Sequence, residues 1–192
     1  MDAMKTLHQS CLSCVRCPLS ETRTKLVFGV GNVRSRIMFI GEGPGEQEDL
    51  SGEPFVGPAG KLLDIELKLI GLDRKDVYIA NIVKCRPPHN RDPRPEEREA
   101  CIGWLQQQIA LIDPKIIVCL GRISATTLIS QDFRITREHG QWHTIDGRQF
   151  IATYHPSALL RDESKRPDAF SDFRLIRQAL QKLSDEGEET QA

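Results

Sequence analysis

Residues 41–60 read GEGPGEQEDLSGEPFVGPAG, a composition that argues against regular secondary structure. The stretch contains six glycines, three prolines, five acids and one aromatic residue, Phe55. Glycine adopts backbone angles that other residues avoid, and proline fixes turns without donating a hydrogen bond, so we predict a long irregular loop. An apolar run at residues 37–40 precedes this loop, and a helical pattern at residues 61–72 follows it. Loops between strands and helices are where α/β sheets place ligand sites. A connecting loop without a function is the alternative interpretation.

Strand and helix patterns alternate along the chain. Predicted strands cover residues 37–40, 76–83 and 115–120, and predicted helices cover residues 61–72, 95–112, 125–129 and 168–183. Residues 141–154 read as two strands joined by Asp146-Gly147, a strong hairpin signal. The alternation predicts an α/β sandwich built on a parallel sheet.

Length and composition indicate one domain, which we expect at residues 1–184, followed by an acidic disordered tail at 185–192. The net charge is −1 for the 192 residues and +3 without the four acids of the tail. No apolar run approaches the ~20 residues that span a bilayer, so we expect no membrane association. The first residues lack the apolar stretch of a secretory signal, which favours a cytoplasmic protein with reduced thiols.

Three cysteines near the beginning of the chain form two overlapping C-x-x-C pairs. Cys11, Cys14 and Cys17 stand three residues apart. A C-x-x-C pair in a reducing compartment is either a redox dithiol or half of a metal site. The redox interpretation requires a preceding strand, and only ten mainly polar residues come before Cys11. The metal interpretation requires further ligands elsewhere in the chain.

Cys85 and Cys101 can supply those ligands, because both lie in polar surroundings. Inert buried thiols are the alternative, since free cysteine is often buried. That alternative fits Cys119, which lies inside an apolar predicted strand. We therefore predict a four-cysteine metal site, and the spacing leaves zinc and iron–sulfur open.

Polar and basic residues gather where the predicted strands end. Residues 84–98, KCRPPHNRDPRPEER, would present Arg86, Arg91 and Arg94, which suit phosphate contacts. Asn81 lies near the end of one predicted strand, and His155 follows another within YHPSALLR. A satisfied structural amide and a capping histidine are the simpler interpretations of these two residues.

Four motifs occur in order along the chain: GEGPGEQED, GEPFVGPAGKLLD, NIVKCRPP and YHPS. Together with the cysteines they resemble the family 4 uracil-DNA glycosylases, the iron–sulfur branch of the uracil glycosylase superfamily. The resemblance covers residues 14–161 approximately. It implies a three-layer sandwich around a central, mostly parallel four-stranded sheet. It also implies a base excision repair enzyme that flips uracil out of DNA, hydrolyses its N-glycosidic bond and leaves an abasic site.

The resemblance implies a 4Fe–4S cluster as cofactor. In that family a Leu-x-x-x-Arg-type stretch follows the C-x-x-C pair, and here Leu19 to Arg23 supplies it. The implied ligands are therefore Cys14, Cys17, Cys85 and Cys101, which leaves Cys11 over.

The resemblance also assigns roles in uracil recognition. Phe55 stacks on the flipped base. Asn81 offers a donor to uracil O4 and an acceptor to N3–H, whereas cytosine presents the inverse pattern. His155 donates to O2 as negative charge develops on the departing base. Glu48 matches the position that crowds C5 and would exclude the methyl group of thymine.

The backbone of Glu42, Gly43 and Pro44 is expected to line the pocket. The best-known branch of the superfamily has an acid at the position of Gly43, where it assists the attacking water. Glycine cannot do so, and Glu42 is the nearest substitute.

The expected partner is uracil-containing DNA, double- or single-stranded, and the expected state is a monomer. Leu159 is the predicted wedge that fills the emptied base stack. Arg86, Ser157 and Arg161 are the other predicted DNA contacts.

Three rival interpretations remain to be compared. A dinucleotide-binding loop would need a third glycine where Glu46 stands, and acids repel pyrophosphate. A non-enzymatic iron–sulfur DNA-binding module needs only the basic residues. A superfamily relative that binds uracil-DNA covalently carries a long basic insertion, which residues 84–101 lack. Acceptance of hypoxanthine or other deaminated bases is left open.

Overall fold

The computed structural model describes the backbone of residues 3–189 and the side chains of residues 3–185. In chain order the α-helices and strands of the described residues are α1 (Ala3–Leu12), α2 (Leu19–Thr22), β1 (Val30–Gly31), β2 (Ile37–Gly41), α3 (Glu46–Ser51), α4 (Pro58–Leu69), β3 (Tyr78–Asn81), α5 (Pro95–Ile112), β4 (Ile116–Leu120), α6 (Arg122–Leu128), α7 (Ile135–Glu138), β5 (Trp142–Ile145), β6 (Arg148–Thr153), α8 (Pro156–Arg161) and α9 (Arg166–Glu189). Short 3₁₀ turns lie at Pro88–Asn90 and Glu163–Lys165.

The strands form one sheet in the order β1-β3-β2-β4-β6-β5. The four central strands, β3, β2, β4 and β6, are parallel, and the two edge strands pair antiparallel. All four central strands therefore end at the same edge of the sheet. Ligand sites of open α/β sheets lie at this edge.

Side chains that alternate along the buried strands fill two apolar layers. On one face Met38, Ile40 and Cys119 pack against α1 and α5. On the other face Phe39 and Val118 pack against α4 and α9. The two innermost strands, β2 and β4, have no polar side chain because both of their faces are covered, as expected for parallel strands. The predicted three-layer α/β sandwich is confirmed.

Helix α5 begins at Pro95, as predicted. Its first turn fixes the segment before it, residues 84–94, called the basic loop below. The carboxylate of Glu97, almost fully buried, accepts a hydrogen bond from the Arg94 N–H at 2.8 Å and two from the Arg91 guanidinium at 2.6 and 2.8 Å. This contact closes a capping box and anchors residues 91–94 to the helix.

Two predictions of local structure differ from the fold, and a third, on the tail, is covered only in part by the described residues. The sheet has six strands because β1 and β5 extend the four-stranded parallel core as antiparallel edges. Residues 41–60 are not wholly irregular, since acids in the first turn of α3 stabilise its N-terminus. Helix α9 crosses residue 185, where we placed the start of a disordered tail. Residues 190–192 lie outside the described residues, and the division of the chain at 185 stays a prediction.

Within the described residues, no helix combines the length and apolarity that crossing a membrane requires.

Candidate active site

A cavity of about 440 Å³ opens at the carboxyl ends of the four parallel strands. Its wall is formed by residues that directly follow or end these strands. They include Glu42, Gly43, Pro44, Asn81, Gly121, Tyr154 and His155. Phe55 and Glu48 come from the loop and the short helix between β2 and α4. The cavity therefore brings together every residue predicted to bind uracil, although these residues are up to 113 positions apart.

Gly41, the last residue of β2, allows Phe55 and Asn81 to meet. Gly41 pairs with Asn81 across the parallel strands. A Cβ atom at Gly41 would lie 2.5 Å from Asn81 Oδ1 and 2.6 Å from the Phe55 ring. Any side chain there would push the aromatic ring and the amide out of position. Close approach is thus the reason for glycine at this position.

The Asn81 side chain is 2% exposed, and its Oδ1 is buried without a hydrogen-bond partner among the described residues. An unpaired buried acceptor costs on the order of 1–3 kcal/mol, so folded proteins rarely leave one. The predicted alternative of a satisfied structural amide therefore does not fit Oδ1. The atom is available to a ligand that donates a hydrogen bond.

His155 caps the N-terminus of α8 and is held in one tautomer. Its Nδ1 accepts the Ser157 N–H at 3.1 Å and lies 2.8 Å from Ser157 Oγ. Burial, followed by the nearby charge of Arg161, lowers the pKa of His155 to about 4. The ring is therefore neutral at physiological pH and carries its proton on Nε2, which remains a donor. The ring also stacks on Phe55 at a centroid distance of 5.5 Å.

Glu42 lies in a charged environment that no motif of the sequence indicates. Burial, and after it the charge of Asp92, raise the pKa of its carboxyl to about 7. Three arginines, Arg98, Arg122 and Arg161, act in the opposite direction. Arg122 also pairs with Asp92 at 2.5 Å across the mouth of the cavity. Glu42 thus titrates near neutral pH, which is typical of groups that accept protons in catalysis.

Glu48 lines the cavity, but both its carboxylate oxygens bind backbone groups. Oε1 accepts the N–H groups of Val56 and Gly57 at 2.9 Å each, and Oε2 accepts the Gly45 N–H at 3.1 Å. This carboxylate therefore fixes the loop that carries Phe55. Its predicted role as a steric wall against thymine stays a prediction.

The predicted DNA contacts fall into two groups. Ser157 and Arg161 line the cavity, on the first and last turns of α8. The Arg86 guanidinium already has partners within the protein: its Nε donates to Asn90 Oδ1 at 2.7 Å, and its Nη1 lies 3.8 Å from Glu46 Oε1 on α3.

The prediction of Leu159 as the wedge requires a correction. Leu159 is 1% exposed and packs with Tyr154 and Ala169, because its position on α8 faces the interior. A wedge must be exposed to reach a base stack. The neighbouring Leu160 is 43% exposed and satisfies that condition.

A second, smaller cavity is lined by five cysteines: Cys11, Cys14, Cys17, Cys85 and Cys101. They come from α1, the segment after it, the basic loop and α5, and all are free thiols. Cys119 is fully buried inside β4, away from this group, as the alternative of an inert thiol predicted.

Three N–H groups donate to sulfur atoms of this cavity. The Arg23 guanidinium donates to Cys85 at 3.2 Å, and the Lys84 backbone N–H donates to Cys101 at 3.3 Å. The Trp104 indole donates to Cys14 at 3.3 Å. Donors of this kind stabilise thiolates and thiolate-bound iron–sulfur clusters.

Lys84 connects the cysteine cavity to the end of β3. Its ammonium group is completely buried, and burial lowers its pKa to about 8. The Nζ donates to the Asn81 carbonyl at 3.0 Å and to Gln108 Oε1 at 2.6 Å. Burial also raises the pKa of Cys101 to about 11 and that of Cys11 to about 12.

In the part of the chain with described side chains, no three His, Cys, Asp or Glu residues are arranged to hold a single metal ion. The cysteines surround a space instead of converging on one point.

The chain is similar in sequence to proteins named type-4 uracil-DNA glycosylase. One from Archaeoglobus fulgidus is 46% identical over 184 residues, which cover 92% of each chain. One from Thermotoga maritima is 46% identical and covers 85% of this chain and 86% of its own. One from Sulfurisphaera tokodaii is 43% identical and covers 93% of this chain and 85% of its own.

Residues 28–183 match the family model described as the uracil DNA glycosylase superfamily. This match includes all the strands and the whole wall of the larger cavity. Together with relatives above 40% identity over most of the chain, it confirms the resemblance drawn from the motifs. The chain belongs to the uracil DNA glycosylase superfamily.

Proposed function

We propose that this protein excises uracil from DNA: it extrudes the nucleotide into the larger cavity, hydrolyses the N-glycosidic bond and releases free uracil. The observation that carries the proposal is the buried, unpaired Oδ1 of Asn81 beside the ring of Phe55. A planar ligand that donates a hydrogen bond from its edge satisfies both features. The names of the relatives support the same activity.

Recognition of uracil follows from the amide of Asn81. Oδ1 accepts the N3–H of uracil, and the amide N–H₂ donates to O4. Cytosine presents an acceptor at N3, which would face the acceptor Oδ1, and an amino group at C4, which would face the amide N–H₂. Neither group of the amide would then form a hydrogen bond. Sites built to hydrogen-bond a polar edge reject a ligand without the matching pattern by large factors. Phe55 provides the stacking surface for the flipped ring.

Bond cleavage places an electron pair on the departing base. As the bond between N1 and C1′ breaks, negative charge develops on N1, O2 and O4 of uracil. The neutral His155 donates a hydrogen bond from Nε2 to O2, and its fixed tautomer keeps this donor available. Pre-oriented donors of this kind typically contribute ~10²–10³ in rate.

Water then attacks C1′ of the sugar, and its proton requires an acceptor. Glu42 is the candidate, because its carboxyl lines the cavity and titrates near pH 7. The glycine at position 43 leaves no other acid at this point of the loop. The departing uracil anion takes up one proton from solvent, so the products are free uracil and an abasic site.

DNA would approach the face that carries Arg122, Arg161 and Ser157, at the mouth of the cavity. Phosphate contacts by arginine and backbone groups position a duplex without reading its sequence. Leu160 on α8 is the exposed side chain that could fill the space left by the flipped base.

We further propose that Cys14, Cys17, Cys85 and Cys101 hold a 4Fe–4S cluster. The donor set fits, because four free thiols from three segments surround one cavity and three N–H groups donate to their sulfur atoms. A cluster spreads its thiolate ligands more widely than a single ion does, which agrees with the lack of a compact site among the described side chains.

When bound, such a cluster supplies a cross-link between the segment after α1, the basic loop and α5. Its ligands do not line the larger cavity in the described structure, so we assign it no part in bond cleavage. Excision is therefore expected to proceed without added reductant or electron acceptor. Iron and acid-labile sulfide, and not zinc, are expected in protein purified under anaerobic conditions.

The test is release of free uracil from labelled oligonucleotides that contain U:G, U:A, T:G or single-stranded U. Alkaline cleavage at the abasic site and direct detection of the free base together establish the reaction. We expect release from the uracil substrates and none from T:G. Binding of these oligonucleotides without release of the base would contradict the proposal and favour the non-enzymatic DNA-binding module.

A further inference from the structure

The main chain at Phe55 has an unfavourable conformation. Its φ is +54°, in the left-handed region that residues with a Cβ atom rarely adopt. The ring is 6% exposed and stacks on His155. A strained backbone at a functional residue persists only where its surroundings hold it.

Arg74 makes the contacts that hold it. This residue lies in the connection between α4 and β3, and it is not among the described residues that line the larger cavity. Its Nη1 donates to the Phe55 carbonyl at 2.9 Å, and its Nη2 donates to the Pro54 carbonyl at 2.6 Å. Asp64 on α4 orients the guanidinium through a bond of 3.0 Å to Nη1.

The other side of the same peptide is also fixed. In the peptide between Phe55 and Val56, the Phe55 carbonyl accepts a hydrogen bond from Arg74 and the Val56 N–H donates one to Glu48, at 2.9 Å each. The first turn of α4 closes against this segment, because a Cβ atom at Gly60 would lie 1.7 Å from the Phe55 carbonyl. Both polar groups of the peptide are therefore satisfied only in the observed orientation.

We propose that Arg74 is a positioning residue for uracil recognition, which holds the Phe55 main chain so that the ring stacks on the flipped base. This inference rests on the proposed function. The planar fork of arginine reaches two adjacent carbonyls at once, whereas the single ammonium of lysine does not. Arg74 acts through Phe55 and does not touch the base.

A double-mutant cycle between Arg74 and Phe55 tests the proposal. Single-turnover rates and substrate affinity are measured on uracil-containing duplex for wild type, Arg74→Met, Phe55→Ala and the double variant. Stacking of a base on an aromatic side chain gives an expected loss of about tenfold to a hundredfold for Arg74→Met. In the Phe55→Ala background the same change is expected to alter the rate by less than about twofold, since the ring it positions is absent.

Arg177→Met is the matched control, because Arg177 Nη1 also donates to a backbone carbonyl, that of Ile70, at 2.6 Å. This variant loses a similar bond at the end of α4, where Arg177 donates to neither Pro54 nor Phe55 in the described structure, and is expected to excise uracil at the wild-type rate, even where its melting temperature falls. Arg74→Lys keeps the charge and is expected to lose part of the activity, again only when Phe55 is present.

An equal loss from Arg74→Met in both backgrounds would overturn the inference, and so would an equal loss in Arg177→Met. If Arg74→Met does not fold, the cycle is run with Arg74→Lys under the same criteria. A wild-type protein that releases no uracil contradicts the proposed function instead, so the two failures are distinguishable.

Discussion

Replacing Glu42 with Gln is expected to abolish the pH dependence of uracil excision between about pH 5 and pH 8. Burial raises the pKa of Glu42 to about 7. A carboxyl that accepts a proton from water works in its ionised form, so the rate increases as the pH rises through this pKa. The ionised fraction is about one half at pH 7 and about one hundredth at pH 5, which predicts a decrease of roughly fiftyfold.

Ionisation of His155 does not add a second change to the pH dependence of the excision rate in this range. Its pKa is lowered to about 4, so the ring stays neutral at every pH of the experiment. Glutamine preserves the size of the Glu42 side chain and one acceptor oxygen but cannot take up a proton. The variant should therefore show a low rate that is constant over the same range.

The assay is single-turnover release of uracil from a duplex with one U:G pair, with protein in excess. Circular dichroism at each pH confirms that both proteins remain folded. A flat wild-type profile would refute the role of Glu42, and so would a variant that keeps the same slope.

Three further predictions concern stability, recognition and the cofactor. Glu66 is buried with one oxygen that has no partner among the described residues, and burial raises its pKa from 4.5 to about 8. The folded protein therefore favours the neutral carboxyl. The resulting stabilisation is fully present below the unfolded pKa near 4.5 and is lost as the pH rises through 8. The free energy of unfolding in urea should therefore fall by ~3 kcal/mol more in wild type than in Glu66→Gln between about pH 4.5 and pH 7. Equal changes of this free energy with pH in the two proteins would contradict the prediction. Asn81→Asp should lower the uracil excision rate at least about a hundredfold, since a carboxylate cannot donate to O4, whereas a near wild-type rate would disprove recognition by this amide. Cys101→Ala should lose the bound iron and the absorbance near ~400 nm, and Cys11→Ala should keep both; the reverse result would mean that the ligand set is wrong.

Much of the fold could be predicted because its signals are local. The helix at Pro95–Ile112 has the predicted bounds, since proline and acids define its first turn. The hairpin between β5 and β6 turns at Asp146 and Gly147, both with positive φ, as the Asp-Gly pair predicts. Strand β1 has only two residues and depends entirely on its partner β3, so no periodic pattern indicates it.

Only those residues of the candidate site that lie in a recognisable sequence motif could be predicted. Phe55, Asn81 and His155 lie together in the cavity, as the resemblance implied. The contacts of Arg74 depend on a chain reversal between α4 and β3, and a single arginine in a polar connection gives no signal of them. Leu159 failed as a wedge because only the packing of α8 decides which of two adjacent leucines faces solvent.

The cysteines show the limit of spacing as evidence. Cys11, Cys14 and Cys17 all line the smaller cavity, so neither the sequence interval nor proximity alone separates ligand from neighbour. Cys11 lies in the apolar core together with Cys85 and Cys101, so burial does not separate it from them, but Cys14 receives the Trp104 N–H. The donor to sulfur favours Cys14, in agreement with the set that the resemblance implies.

In the proposed reaction, the larger cavity stabilises the negative charge that develops on uracil during bond cleavage. Single-turnover kinetics of His155→Ala at saturating protein test it most directly. The account predicts a maximal rate lower by ~10²–10³ with substrate affinity nearly unchanged, because charge develops only in the transition state. A maximal rate near that of wild type, with weakened binding alone, would contradict it.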